Sequence, residues 1–390
     1  MRTLRVAGLP VAFLFLALLA ASAQAGGAKP QPNMVKRTHA GIGMVAMDGP
    51  RVAYVSDGRI DVWNVATGAT SVVRGSYSNA ARTNTASELA IAGTRVAWIK
   101  RQAFGNTEMG EKLYTAPVAG RARMIRQGYI FGRETSAHAV GGWIAGLAGS
   151  AGVLAVSTWR SNDGTTSSEK LSLVTPTGLR SIARGPGAIV AAAVNSGHIA
   201  VLRSLAAWPA DDPSTPTSEP TVGIYSAGGK LLREIVLDTP VPPQPPCGDC
   251  GPDVGASTMF NSVALSGDRL VVLTQTNPET AGSSTYTTKL EVFDWTTGAL
   301  LQTWPVANTP WAGNVAPGLS AYGPLAALQG RNGVQLIDLT TGKDVAIATS
   351  PGSYRAMAMD ARGLVYAAPA QGKHGKLVFV PSAKLLAMLH

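Results

Sequence analysis

Short apolar runs and tight polar turns alternate along this chain, and from residue 41 onward the alternation repeats as a phrase. The phrase has three parts: an apolar couplet after a polar turn, a second alternating strand, and a Thr-Gly or Gly-Gly hairpin. It occurs as RVAY then IDVWNVATG (51–54 and 60–68), and as RLVV then LEVFDWTTG (269–272 and 290–298). A third copy is GPLA then VQLIDLTTG (323–326 and 334–342). Self-similarity at this spacing marks one supersecondary unit stacked many times, and four short strands per unit predict a β-propeller. Within a strand the period is two. Val62, Asn64 and Ala66 are expected on one face, with Asp61, Trp63 and Val65 on the other.

About seven such units can be laid out, each with strands A to D, over 42–74, 88–126, 143–184, 189–237, 262–304, 319–348 and 355–389. The third and fourth are less regular, which leaves six or eight blades open. The last unit is read with its own D strand at 385–389. The ring then closes either by packing the seventh blade on the first or by strand exchange, with Met34 and Val35 as the extra strand. A–B and C–D turns are tight, and Gly68, Gly178, Gly229, Gly298 and Gly342 supply positive φ for the C–D hairpins. Long insertions fall in the B–C connections at 101–111, 160–169, 204–221 and 275–288, and in the D–A connections at 76–87, 239–261 and 305–318. In an up-and-down blade the tight turns and the long loops lie on opposite rims. One rim is trimmed and the other decorated, and long loops on a rigid scaffold are where binding residues gather.

The start of the chain follows a different rule. Arg2 and Arg5 precede an apolar run at 6–20, and Ala23-Gln24-Ala25 supplies a small-x-small cleavage site. The run is short of the about 20 apolar residues that a bilayer span needs. The expected organisation is a secretory signal peptide over 1–25, a leader or ring-closing segment over 26–40, and the propeller over 41–390. The mature protein is expected outside the cytoplasm, secreted or in the periplasm or cell envelope. It is read as a monomer with no transmembrane segment after cleavage.

Composition narrows the class. Only 14% of residues are charged, small and β-branched residues abound, and no helical period is sustained downstream of the signal, so the class is all-β. Without Arg2 and Arg5 the balance is 31 Lys+Arg against 23 Asp+Glu. The basic residues are scattered, so nucleic acid is not an expected partner. A weakly cationic surface does suit loose association with an anionic envelope.

Candidate chemistry is sparse. Asp211 and Asp212 follow Trp208 in the fourth B–C loop, where solvation of adjacent acids competes with a sugar or calcium site. Trp311 and Phe131 are placed in other loops of the same rim, where exposed aromatics suit carbohydrate or protein contacts. Trp63, Trp98, Trp143, Trp159 and Trp295 fall on or beside strands and are assigned to packing. Cys247 and Cys250 lie in a Pro-rich D–A loop. In an exported protein a structural disulfide there outranks a redox pair, which wants a helix N-terminus, and a zinc site, which wants four ligands. Five dispersed histidines show no metal-ligand spacing, and no catalytic motif such as Gly-x-Ser-x-Gly is present.

The segments VFDWTTGALLQTW (292–304) and LIDLTTGK (336–343) resemble the strand–turn–strand signature of quinoprotein-like (PQQ-repeat, YVTN-type, WD40-like) propellers. VWNVATG (62–68) is a weaker copy with Asn64 for Asp. The resemblance implies the fold, with that Asp capping the turn that Thr-Gly makes. It implies little about activity, because fold and function separate. Quinone-dependent enzymes of this group would add an adjacent Cys-Cys pair, which this chain lacks, and no cofactor or metal is expected. The leading reading is an exported, non-catalytic propeller that binds a protein or cell-envelope ligand through its B–C/D–A rim. The alternative is an enzyme, sugar-acting, lyase-like or quinone-dependent, with its site at the central channel mouth.

Overall fold

Each Asp-Thr-Gly phrase forms the hairpin between the third and fourth strands of a blade. Asp294 Oδ1 accepts from the backbone N–H groups of Thr296 at 2.8 Å and Thr297 at 3.3 Å. Asp338 Oδ1 accepts from Thr340 N at 2.7 Å, and Asn64 Oδ1 from Ala66 N at 2.9 Å. Gly68, Gly298 and Gly342 follow with φ of 76°, 83° and 73°. An Asx-type turn closed by a left-handed glycine therefore sets the register of the outer two strands. The capping role that the resemblance implies for Asp is present at each copy.

The computed structural model describes residues 33–77, 85–103, 108–133, 136–161, 167–186, 189–203, 206–207, 220–237, 257–277, 287–306, 318–330, 333–347, 349, 356–370, 372 and 374–389. Strand β1 (Met34–Thr38) precedes the first blade, which is β2 to β5 (Ile42–Asp48, Arg51–Ser56, Arg59–Asn64, Thr70–Val72). Blade 2 is β6 to β9 (Thr85–Ala92, Arg95–Ala103, Glu108–Pro117, Arg123–Arg133). Blade 3 is β10 to β13 (Ser136–Ser150, Val153–Ser161, Ser167–Val174, Leu179–Pro186). Blade 4 comprises β14 (Ile189–Asn195), β15 (His198–Arg203), β17 (Thr221–Ser226) and β18 (Leu231–Val236), with β16 (Ala206–Ala207) in its B–C connection. Blade 5 is β19 to β22 (Ser257–Ser266, Arg269–Asn277, Thr287–Asp294, Ala299–Val306), and blade 6 is β23 to β26 (Leu319–Tyr322, Leu325–Gly330, Gly333–Asp338, Asp344–Ile347). Blade 7 holds β27 to β29 (Met357–Asp360, Gly363–Ala368, Gly375–Pro381), and helix α1 (Ser382–Leu389) follows. The innermost strands β2, β6, β10, β14, β19, β23 and β27 touch in a closed circuit. The fold is a seven-bladed β-propeller.

Closure decides between the two modes that the sequence leaves open. β1 pairs antiparallel with β29, from Met34 opposite Phe379 to Thr38 opposite Gly375, and so supplies the outer strand of blade 7. Met34 packs on the cluster between blades 7 and 1. Residues 385–389, expected as that outer strand, are helical instead. Helix α1 is built mostly from Ala, Lys, Leu and Met, all strong helix formers. One helical turn apart, Leu385 and Leu389 bury together against blades 6 and 7.

The period of two survives, yet neither face of the central strands meets solvent. Ile60 and Val62 pack with Val96 and Trp98 of blade 2, while Trp63 and Val65 pack with Val365 and Phe379 of blade 7. Even Asp61 is buried, beside Arg59 at 3.2 Å. Blade stacking buries both faces, so alternation here sorts residues between two interfaces. Trp98 is fully buried with its ring stacked on Tyr114 at 5.5 Å.

Several expected loops are strand. β7 and β8 run to Ala103 and from Glu108, β11 and β12 to Ser161 and from Ser167, and β20 and β21 to Asn277 and from Thr287. Pairing of β9 with β10 joins blades 2 and 3 into one eight-stranded sheet. Phe131 lies in β9 rather than in a loop, because Tyr129, Ile130 and Phe131 favour a pleated chain.

Candidate functional site

The trimmed rim is a ring of clasps. Gly49 N donates to Asp360 Oδ2 at 2.6 Å, joining blade 1 to blade 7. Gly93 N and Ala151 N donate to the two oxygens of Asp48 at 2.5 and 2.9 Å, joining blades 2 and 3 to blade 1. Asn195 Nδ2 donates to Leu265 O at 2.9 Å, Ser266 Oγ to Gly323 O at 3.1 Å, and Met359 N to Ser320 Oγ at 3.0 Å. Between these turns the channel opens as a cavity of about 460 Å³, lined chiefly by alanine, valine, leucine and methionine from all seven inner strands. Its carboxylates, Asp48 and Asp360, are both engaged as backbone acceptors. Burial, with the neighbouring charge of Asp48, pushes Asp360 up to about 6.

The opposite rim gathers ionisable side chains inside blades 2 to 4. Glu111 on β8 is buried, accepts from Ile144 N of blade 3, and lies 3.6 Å from Arg101 Nε. Arg101 on β7 donates to Ile144 O at 2.9 Å and to Glu88 Oε1 at 3.4 Å. Gly128 makes room for this arrangement, since a Cβ there would lie 2.8 Å from Gly142 O and 3.4 Å from Glu111 Oε1. One blade further on, Arg203 Nε of β15 donates to Glu169 Oε1 of β12 at 2.5 Å, and its Nη2 to Tyr225 Oη at 2.5 Å. Two charge clusters thus bridge blades 2–3 and 3–4.

Burial pushes Glu111 from 4.5 up to about 7, against the opposing pull of Arg101 and the Ile144 amide. The folded state therefore holds this proton more tightly than the unfolded chain. Stability falls as pH rises between about 4.5 and 7, and levels above that range. Asp360 adds the same sign between 3.8 and about 6. Urea melts at stepped pH should show it. Glu111→Gln is expected to remove up to about 1.4 kcal/mol per pH unit of that slope near pH 6. An unchanged slope would show that Glu111 titrates normally.

β16 pairs with Thr258 and Met259 on the channel side of β19, at the decorated end. Trp208, Asp211 and Asp212 follow β16 in the sequence. Those three residues, with Trp311, Cys247 and Cys250, lie outside the described residues. Phe131 is placed only through its backbone in β9. Trp63 and Trp98 are core, and Trp295 tilts against His198 at 4.8 Å while donating to Gly267 O at 2.8 Å. Among the described residues no group of three His, Cys, Asp or Glu could hold a metal, and no helix is long and apolar enough to cross a membrane. Sequence reasoning missed Glu88, Arg101, Glu111, Glu169 and Arg203. The available signal was an arginine near the end of the B strand in three successive units, at Arg101, Arg160 and Arg203.

No protein-family model matches this chain, and no curated protein sequence does either. Solved structures resemble it in fold. The β-propeller domain of the Trilobed protease from Pyrococcus furiosus is 11% identical with a TM-score of 0.49, over 87% of this chain and 93% of that one. Pyrococcus horikoshii acylaminoacyl peptidase is 11% identical with a TM-score of 0.49, over 87% of this chain and 50% of that one. AztD from Citrobacter koseri, in its apo form, is 10% identical with a TM-score of 0.38, over 80% of this chain and 74% of that one.

Proposed function

We propose that the protein is an exported, non-catalytic propeller that binds a protein or cell-envelope ligand through its B–C/D–A rim. The observation that carries this reading is the division of labour between the rims. Asp48, Asp360 and Asn195 of the trimmed rim join blades, whereas the other rim concentrates ionisable side chains and receives β16 at the channel edge. Export rests on the signal-like pattern of residues 1–25. The enzyme alternative draws no support from the trimmed-end cavity, whose carboxylates already accept backbone hydrogen bonds.

Affinity capture of the tagged mature protein from its native culture, after amine cross-linking, tests this reading. Cross-linked peptides of a near-stoichiometric partner are expected through Lys170 and Lys112, which lie in the B–C halves of their strands. Cross-links confined to Lys230 and Lys343, in C–D turns, would reverse the assignment. Recovery of the protein alone would count against a binding role.

A further inference from the structure

A pocket of about 470 Å³ lies on the decorated side, between the outer strand of blade 2 and the outer three strands of blade 3. Arg126, Arg160, Lys170 and Arg184 line it, together with Thr158 and Glu169. Four cations meet one carboxylate there, and Glu169 already accepts from Arg203 at 2.5 Å. Among the described residues no carboxylate comes within ion-pair distance of the four lining cations. Like charges converging from four strands repel one another, and a multivalent oxyanion relieves that repulsion with charge-assisted hydrogen bonds.

Glu169 adds a second requirement. Its side chain is 3% exposed, and its Oε2 has no hydrogen-bond partner among the described residues. A buried acceptor in a pocket wall calls for a donor, which a ligand hydroxyl supplies. The volume also exceeds what a lone ion needs and falls in the range of small-molecule sites. We propose that this pocket binds a phosphorylated polyol, its phosphoryl oxygens on the arginines and Lys170 and one hydroxyl donating to Glu169 Oε2. Arginine forks match phosphoryl oxygens two at a time, while Lys170 contributes a point charge. A free polyol phosphate and a phosphoglycerol headgroup share this chemistry.

The inference deepens the rim-binding reading and rests on it for the accessibility of this face. Titration calorimetry on the mature protein with glycerol 2-phosphate, and flotation with phosphatidylglycerol vesicles, separate the two sources. Acetate at matched ionic strength serves as the control. Saturable binding to either probe is expected, weakened at least about tenfold in Arg160→Ala/Lys170→Ala. Arg160→Lys alone should retain part of the affinity. Both positions are partly or fully exposed, and circular dichroism melts verify that the variants fold. Binding to neither probe, binding no better than acetate, or binding unchanged in the double variant would overturn the proposal. The rim reading fails on a different result, a cross-link map confined to the trimmed rim.

Discussion

Deleting residues 34–38 opens the ring. Those residues make five backbone register pairs with β29 and bring Met34 onto the cluster between blades 7 and 1. At about 1 kcal/mol net per ladder hydrogen bond, the loss reaches roughly 3 kcal/mol or more. That is a large share of the 5–15 kcal/mol by which folded domains are usually stable. The melting temperature should fall by about 4 °C or more. The uncovered edge of β29 should also drive self-association, visible by light scattering. A truncated protein that melts with the full chain and stays monodisperse would show that β1 is dispensable for closure.

Arg203→Ala is the second large effect. The guanidinium pairs with a carboxylate that is only 3% exposed, and removing it leaves Glu169 buried without its cation. Breaking such a pair from one side typically costs about 3–5 kcal/mol. Burial already raises the Glu169 carboxyl, and loss of Arg203 raises it further. The folded variant then binds a proton more tightly than its unfolded chain, so its deficit grows as pH rises from 5 to 7.5. Arg203→Ala/Glu169→Gln should recover most of the loss at pH 7.5. A single variant within 1 kcal/mol of the parent at that pH would mean that solvent screens the pair. Gly223 is part of the same design, since a Cβ there would sit 2.6 Å from the Arg203 guanidinium.

Local chemistry made the blades legible. Asp294, Asp338 and Asn64 cap their hairpins within three residues in sequence, so the phrase that announces each turn also builds it. Closure was harder to read because Met34 pairs with Phe379, and nothing local in residues 34–38 points to a partner so distant. The terminal helix carried its own signal in Ala, Lys, Leu and Met, but the repeat frame assigned a strand to residues 385–389. Phe131 was misplaced for a related reason. The insertion around it lengthens a blade instead of leaving it. The charge clusters stayed hidden because Glu111 and Ile144, or Glu169 and Arg203, come from different blades and meet only when those blades stack.

The division between a clasping rim and a binding rim is tested most directly by partner capture with two variants. In one, residues 204–219 are replaced by a short Gly-Ser turn; in the other, Tyr322→Lys alters the exposed end of β23, beside an A–B turn of the trimmed rim. The expected result is that the first loses its near-stoichiometric partner while melting within a few degrees of the parent, and the second keeps it. A partner retained by the loop replacement and lost from Tyr322→Lys would place binding on the rim assigned here to holding the ring together.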